Sequence, residues 1–534
     1  MAMMVPDRWG WGARPSGKAW PLLREQSASR SWLLWLAGTA IASVPFLLVT
    51  LPPLNQHFFN VVRLQILADP AAFAQHFEVH WDMVPDLALD LIVPKMAALM
   101  PVERATWLVL LGTLALLSSG AIALSRAVNK RWSLLPFVSF LFLYNWILVR
   151  GYENNLLGLA LSLWALAAHV SLRNSALLRA GASICSALLL YFCHLFPLGV
   201  FAAIAGSWEF GVWLHEGPTL RRGMKHAAVA LLPLALPVLL LRLSSTGELS
   251  GVIEFGLLQP WAKAKLSLEA FTVGDRVSDV LLLASLGLTA ALAAGRRWFE
   301  CEPECRVAVV VIPLIAFVAP FYAFAAWGIT ERYGVTLAFL LVAFLRLRPV
   351  DLSLQRAAGA LLTFVFLFRI GAIAADWRQA DRTIGEYRMA LATLKPGSVL
   401  LQFDWDTRYF SPLRDPDRWN PPLSRVMTLA TLHDVLVPEL YLKRGQQPVL
   451  FRGPDAALRQ FQYDSDRREG GIADDGTFRA WLRTVAGRFP DLAQRFSAVY
   501  VAVYDPHPHG APAAPGLELI RALPEHYLYR LVQN

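Results

Sequence analysis

Charged residues are scarce in this sequence, where they make up 17% of 534 residues. A soluble globular domain carries about 25% charged residues, so the deficit indicates that much of the surface contacts lipid. Hydrophobic residues account for 56% of the chain, with 19 Trp and 30 Phe among them, as expected from the enrichment of aromatic residues at membrane interfaces. The composition excludes an ordinary soluble protein and predicts an integral membrane protein.

Cysteine and the common catalytic motifs are also scarce. The four cysteines comprise two in an apolar run, Cys185 and Cys193, and two in a short loop, Cys301 and Cys305, so no disulfide framework is predicted. The sequence contains no glycine-rich phosphate loop, no Gly-x-Ser-x-Gly elbow and no His-Glu-x-x-His helix. The usual nucleotide-binding, serine-hydrolase and metalloprotease sites are therefore not expected.

Long apolar runs are abundant, and about eleven of them approach the length that spans a bilayer. The stretch from Leu178 to Leu214 is too long for one span at 1.5 Å per residue, and we divide it near His194–Pro197. The runs are Ser31–Pro52, Arg104–Leu124, Ser133–Val149, Leu156–Leu172, Ala180–Cys193, Leu195–Leu214, Ala227–Leu243, Ser278–Ala294, Val307–Ala325, Tyr333–Leu345 and Ala357–Ala375.

Basic residues alternate between the loops that connect these runs. Five loops on the side of the N-terminus carry two or three Arg or Lys each, whereas the short loops on the other side carry only Arg150 and Arg332. Basic residues mark the cytoplasmic side of a membrane, so the N-terminus is predicted to be cytoplasmic and the C-terminus extracytoplasmic. The net charge of +9 is explained by these loops, and no nucleic-acid partner is predicted. A multi-pass protein of the cell inner membrane is expected.

The composition changes abruptly after Ala375. Strands are predicted at Ser398–Phe403, Ser497–Tyr504 and Leu528–Val532, with helices around Leu432–Tyr441 and Thr477–Phe489, an alternation typical of a small α/β domain. The predicted fold class is mainly α: a polytopic membrane helical bundle of about eleven transmembrane helices with a small extracytoplasmic α/β domain. The predicted parts are a cytoplasmic segment 1–30, a transmembrane domain 31–375 with a long first outer loop 53–103, and an extracytoplasmic domain 376–534.

Carboxylates and a histidine gather in the long outer loop, at Glu78, His80, Asp82, Asp86 and Asp90. The loop also contains an apolar but charge-interrupted stretch from residue 84 to residue 100, which predicts a helix lying at the interface or re-entering the membrane. On such a helix, Asp86 and Asp90 project from one face because they are four residues apart. Paired carboxylates bind a divalent cation or act as a general base; alternatively, they form the solvated face of an interfacial helix.

Three basic or imidazole side chains lie at the outer ends of the predicted spans. Arg150 begins the sequence Arg-Gly-Tyr-Glu-Asn-Asn after the third span, Arg332 lies where the tenth span begins, and His194 lies between the fifth and sixth spans. Arginine at that depth suits a lipid phosphate. The alternatives are helix capping by the Asn residues, an Arg332 that snorkels and pairs with Glu331, and a structural His194.

This layout resembles the GT-C superfamily, the polytopic membrane glycosyltransferases that take sugar from a polyprenyl-phosphate donor. The similar features are the acidic first outer loop, Glu331-Arg332-Tyr333 at the start of a late span, and the extracytoplasmic C-terminal domain. The resemblance implies transfer of a sugar from a polyprenyl-phosphate donor to an acceptor at the outer face, with membrane lipid and the lipid-linked sugar as partners. The implied roles are catalysis by Glu78, Asp82 and Asp86, phosphate binding by Arg332, Arg150 and His194, and binding of a divalent cation (Mg²⁺ or Mn²⁺) by Asp86, Asp90 and His80.

One departure from that family concerns the residues after the first span. Family enzymes place a carboxylate there, whereas this sequence reads Leu54-Asn55-Gln56-His57. Either a later acid takes that role, or the chain has the fold without the reaction. A non-catalytic assembly or scaffold protein of the envelope is therefore an alternative, and a transporter or flippase is another.

Overall fold

The computed structural model describes residues 27–251, 253–254, 260–320, 322–323, 326, 328–348, 350–405, 423–466, 472–506 and 510–532. Most of the predicted cytoplasmic segment, residues 1–26, lies outside the described residues. The described chain is mainly helical, and its largest sheet, of five strands, lies in the C-terminal part, so the predicted fold class is confirmed.

The described part of the first 391 residues is mainly helical. A 3₁₀ helix, Leu135–Phe142, occupies 8 residues of the third predicted span, with Pro136 at its start. In chain order the α-helices are α1 (Ala28–Ala42), α2 (Val44–Leu47), α3 (His57–Ala68), α4 (Ala88–Met96), α5 (Val102–Asn129), α6 (Trp146–Val149), α7 (Glu153–Ser171), α8 (Ala176–Cys193), α9 (Leu195–His215), α10 (Leu220–Leu231), α11 (Ala235–Leu243), α12 (Pro260–Glu269), α13 (Arg276–Gly295), α14 (Arg306–Val318), α15 (Ile329–Phe344) and α16 (Leu352–Leu391).

Six helical segments of the described chain are long and apolar enough to cross a membrane, which makes this a multi-pass membrane protein. They are α5, α8, α9, the run Leu220–Leu243 that contains α10 and α11, α13 and α16. The other five predicted spans also coincide with helical structure, but in shorter or more polar pieces. The total of eleven spans stays a prediction.

The division predicted near His194 is confirmed. His194 has extended backbone angles of φ −177° and ψ 147°, α8 ends before it and α9 begins after it. Its side chain caps the second helix, because Nδ1 lies 3.0 Å from the amide nitrogen of Phe196. The imidazole is thereby fixed where the two helices meet.

The long outer loop folds onto the bundle. Ten of the twelve residues of α3 are buried, because this helix lies between the bundle and the C-terminal domain. The predicted non-spanning helix is present as α4, with nine residues. Between α3 and α4, a short strand β1 (Phe77–Val79) is antiparallel to a strand of the C-terminal domain, β8 (Val449–Phe451).

The last helix of the bundle continues directly into the C-terminal domain. α16 has 40 residues, which corresponds to about 60 Å at 1.5 Å per residue. It crosses the predicted domain boundary at residue 375 without a break, and no Pro interrupts the change from apolar to polar sequence. One continuous helix therefore connects the two parts.

The C-terminal domain contains a five-stranded mixed sheet, and its three predicted strands are confirmed. The order of the strands is β10 (Leu517–Ala522), β11 (His526–Leu531), β9 (Val499–Tyr504), β6 (Ser398–Asp404) and β7 (Val435–Leu436). The helix predicted around Leu432–Tyr441 is wrong: a 3₁₀ helix, Val426–His433, ends where Asp434 adopts φ 58°. The remaining elements are β2 (Ile253–Glu254), β3 (Phe299–Cys301), β4 (Tyr322–Ala323), β5 (Leu345–Leu347), α17 (Pro454–Asp466), α18 (Asp475–Arg488) and α19 (Leu492–Arg495).

Three segments predicted to be extracytoplasmic meet at one end of the bundle, which we call the outer end. These are the long loop 53–103, the segment that follows α11, and the C-terminal domain. The carboxylate of Asp82 accepts from the Ser245 amide at 2.8 Å, and the hydroxyl of Thr246 donates to the Gly445 carbonyl at 2.5 Å. The outer end is therefore built from residues far apart in the sequence.

Candidate functional site

The residues that follow the third predicted span lie against the start of the long outer loop. The amide of Gln56 donates to the Arg150 carbonyl at 3.0 Å. Gly151 has φ 73°, and a Cβ at this position would lie 2.7 Å from the His57 nitrogen. Glycine is required here by both the backbone conformation and the close approach. This packing fixes Arg150 and the start of α7 at the outer end.

A group of cationic and aromatic side chains surrounds Arg332, which is 3% exposed at the start of α15. The guanidinium carbon of Arg332 lies 4.5 Å from the centre of the Tyr152 ring, and that of Arg150 lies 5.8 Å from the same ring. Nη1 of Arg332 is 3.0 Å from Nε2 of His194. The structure thus brings together the three residues predicted to bind phosphate, and we call them the Arg332 group.

The two ring nitrogens of His194 both face nitrogen donors. Nδ1 caps α9 by accepting from Phe196, and Nε2 faces Arg332. A neutral imidazole accepts at one nitrogen and carries its proton on the other. Since the capping contact uses Nδ1 as the acceptor, the proton is on Nε2 and faces the guanidinium of Arg332. The contact between Nε2 of His194 and Nη1 of Arg332 therefore contains two N–H donors and no acceptor.

Among the predicted catalytic carboxylates, Asp86 interacts electrostatically with Arg332. Its carbonyl accepts from Asn154 Nδ2 at 2.7 Å, which holds the loop against α7. Burial raises the pKa of Asp86 to about 7, although Arg63 and Arg332 act in the opposite direction and Asp90 adds to the rise. A carboxyl group with a pKa near neutrality is suited to accept a proton at physiological pH.

Asp90 does not share a helical face with Asp86, contrary to the prediction, because α4 begins at Ala88 and Asp86 has φ 76°. Asp90 instead pairs with the buried Arg63, with Nε–Oδ1 at 2.8 Å and Nη2–Oδ2 at 3.4 Å. Because both oxygens of Asp90 contact Arg63, Asp86, Asp90 and His80 do not fit a cation site as arranged. No three His, Cys, Asp or Glu side chains in the described part of the chain form such a group. A metal requirement stays a prediction.

The other predicted acids of the loop lie in different surroundings. Glu78 is exposed in β1, and His80 is exposed just after that strand. The carboxylate of Asp82 accepts from the Ser245 amide and, at 2.5 Å, from the Ser245 hydroxyl. Burial acts to raise the pKa of Asp82, but these hydrogen bonds outweigh it and lower the pKa. Asp82 therefore joins two outer segments, and Asp86 is the best-placed candidate base of the three.

Sequence reasoning missed a buried pair formed by His57 and Glu153. His57 follows the first span, and Nδ1 of its ring contacts Oε1 of Glu153 in the first turn of α7. The other ring nitrogen and the other carboxylate oxygen have no hydrogen-bond partner among the described residues. A carboxylate from a distant segment thus lies beside the stretch that carries none of its own. The absence of a carboxylate at positions 54–57 was the only signal in the sequence.

Glu331 does not pair with Arg332 in the way that the snorkelling alternative requires. It is 1% exposed, and neither carboxylate oxygen has a hydrogen-bond partner within the described residues. Arg63, which no sequence pattern indicated, is buried beside the site and pairs with Asp90. The outer end therefore contains several buried polar groups whose hydrogen-bonding capacity is unused.

No family model and no curated protein matches this sequence. Similar solved structures include ArnT from Cupriavidus metallidurans bound to undecaprenyl phosphate, with 10% identity and a TM-score of 0.44 over 95% of this chain and 99% of that chain. Another is the arabinofuranosyltransferase AftD from mycobacteria, with 15% identity and a TM-score of 0.42 over 96% of this chain and 42% of that chain. Both TM-scores are below 0.5, so a function must be inferred from the outer end itself.

Proposed function

We propose that this protein transfers a sugar from a polyprenyl-phosphate donor to a hydroxyl group of an acceptor at the outer end. The observation that carries the proposal is the Arg332 group, in which N–H donors of Arg332 and His194 face one another beside a carboxyl group, Asp86, with a pKa of about 7. A phosphate oxygen can accept hydrogen bonds from Arg332 and from His194 at once, so that both N–H donors gain an acceptor.

The Arg332 group would act on the leaving phosphate. In the reaction, the bond between the anomeric carbon and the phosphate oxygen breaks, and the lipid phosphate leaves with an additional negative charge. The guanidinium groups of Arg332 and Arg150, held around Tyr152, stabilise that charge. Such fixed charges are effective in a site from which water is largely excluded.

Asp86 would act on the acceptor. A new bond forms between the acceptor oxygen and the anomeric carbon, and the hydroxyl proton passes to the Asp86 carboxylate. Arg63 and Arg332 favour the ionised form of Asp86 that accepts the proton. The acid then returns its proton to solvent.

The test is a transfer assay with the purified full chain in lipid nanodiscs and radiolabelled sugars linked to polyprenyl phosphate. Asp86→Asn should lower kcat by roughly 10² or more, since general-base catalysis contributes about 10²–10⁴. Glu78→Gln is the matched control, because Glu78 is an exposed acid of the same loop, and it should retain the wild-type rate. Full activity of Asp86→Asn would exclude this base.

A further inference from the structure

The C-terminal sheet contains a second concentration of buried polar groups. β6 and β9 are parallel, and they end side by side with Asp404 opposite Tyr504. In α/β sheets, ligands bind beyond the carboxyl ends of parallel strands. The amide of Gln402, near the end of β6, donates to the Ser424 carbonyl at 3.2 Å, and the Ser424 hydroxyl accepts from Asn55 at 2.9 Å. This edge of the sheet therefore faces the outer end of the bundle.

Five polar side chains come together at this edge. The His526 ring lies 4.9 Å from the Tyr504 ring, centre to centre, and Asp404, Arg425 and Glu525 act electrostatically on Tyr504.

Arg425 forms an ion pair with Glu439 and lies over the ring of Phe59 in α3. The edge is thus in direct contact with the loop that carries Asp86.

The protonation of His526 follows from its neighbour Tyr387. Nδ1 of His526 is 2.9 Å from the Tyr387 hydroxyl, which also accepts from the Glu525 amide at 3.1 Å. The hydroxyl proton of Tyr387 finds its acceptor at Nδ1, so the proton of the neutral imidazole is on Nε2. His526 is 0% exposed, and Nε2 has no partner among the described residues.

Glu525 offers the complementary group. Its Oε2 is buried and has no hydrogen-bond partner in the part of the chain that the structure describes. Burial raises the pKa of Glu525 to about 7, although a hydrogen bond between its carboxyl group and Tyr504 acts in the opposite direction. Burial together with the charge of Arg425 lowers the pKa of His526 to about 3. At neutral pH the imidazole is therefore uncharged. Within the described residues, the Nε2–H of His526 and Oε2 of Glu525 therefore have no hydrogen-bond partner, and native proteins rarely leave such buried groups without one.

We propose that this edge, centred on Glu525 and His526, is a binding site for a neutral, hydroxyl-rich ligand of the carbohydrate class. A sugar hydroxyl accepts from Nε2 of His526 while it or its neighbour donates to Oε2 of Glu525. An anion is disfavoured by the carboxyl groups of Glu525 and Asp404, and the nearby cation Arg425 is already paired with Glu439. We call this place the sheet-edge site, and its identification as the acceptor site rests on the proposed function.

The experiment measures binding of free sugars to the full chain in nanodiscs by saturation-transfer NMR. The probes are the methyl glycosides of arabinose, mannose, rhamnose, glucose and galactose. At least one should bind, and both His526→Phe and Glu525→Gln should weaken it roughly two- to tenfold, as expected for one lost hydrogen bond. The matched control is Glu518→Gln, an exposed acid of the same sheet, which should bind as the wild type does.

Two results would overturn the proposal: no binding of any of the five glycosides, or equal binding by the wild type and both site variants, since water alone would then satisfy these groups. Glu525→Gln preserves the shape of the side chain and remains informative if His526→Phe fails to fold. Failure of the proposed function would be a different result. In that case Asp86→Asn would keep full transfer activity, while sugar would still bind at the sheet-edge site.

Discussion

Asp86 is held in a left-handed backbone conformation beside two buried arginines, and its carboxyl group is consequently sensitive to pH near neutrality. Burial raises its pKa from 3.8 to about 7. As the proposed base, it is active when ionised, so kcat/KM should rise as the pH increases through about 7 and level off above it. A profile of kcat/KM from about pH 5 to pH 9 measures this. A flat profile, or one that falls with pH, would contradict the assignment.

Arg332 differs from a simple point charge, because it stacks on Tyr152 and contacts His194. Lysine keeps the charge but provides neither the planar stacking nor bidentate hydrogen bonds. Arg332→Lys should therefore raise KM for the lipid-linked donor about tenfold, with little change in KM for the acceptor. Arg173→Lys, at an exposed position, is the control. An unchanged donor KM in the Arg332 variant would remove this residue from the phosphate site.

At the residue scale, the sequence was informative where charge occurs at the ends of apolar runs. Arg150, His194 and Arg332 were selected in this way, and the structure places them together. Their role in phosphate binding stays a prediction. Contacts over long sequence separations, such as His57 with Glu153, could not be predicted, because no local pattern links two residues 96 positions apart.

At the scale of elements, the connection between α6 and α7 determines where Arg150 and Tyr152 lie. Gly151→Ala should destabilise the protein by about 1–3 kcal/mol, because alanine is strained at φ 73° and its Cβ would collide with the backbone of His57. Thermal unfolding in detergent measures the loss. Gly181→Ala is the control, since no atom lies within 4 Å of its added Cβ within α8. Equal unfolding temperatures for the two variants would contradict this account.

The elements that the sequence predicted correctly have a strong local pattern, and those that it missed do not. β6 and β9 are apolar runs bounded by turns, and His194 interrupts an apolar stretch at the position found for the break. The continuity of α16 across residue 375 was missed, because a change in composition resembles a domain boundary even where the backbone stays helical. The helix predicted around residues 432–441 failed at Asp434, whose positive φ is not visible in an apolar pattern.

At the scale of the molecule, the long outer loop and the C-terminal domain form one unit through the pairing of β1 with β8. Glu78 lies opposite Leu450, and opposed residues of antiparallel strands have Cα atoms about 4.5–5.5 Å apart, which a disulfide can bridge. Glu78→Cys combined with Leu450→Cys should therefore cross-link on mild oxidation, as seen by a mobility shift that a reductant reverses. Glu78→Cys combined with Arg173→Cys is the control and should not cross-link. Absence of the cross-link in the first pair would contradict the pairing.

The orientation in the membrane decides which pool of the proposed lipid-linked donor the outer end meets. The long loop 53–103, the segment after α11 and the C-terminal domain are joined by direct contacts, so all three must lie on the same side. The loops on the other side of the predicted spans carry two or three basic residues each, which predicts that this side is cytoplasmic. A reporter that is active only outside the cytoplasm should therefore work when fused after Asn534, and a reporter that needs the cytoplasm should fail there. The opposite result would place Asp86, Arg332 and the sheet-edge site in the cytoplasm, and the donor would then have to be a lipid-linked sugar of the inner leaflet.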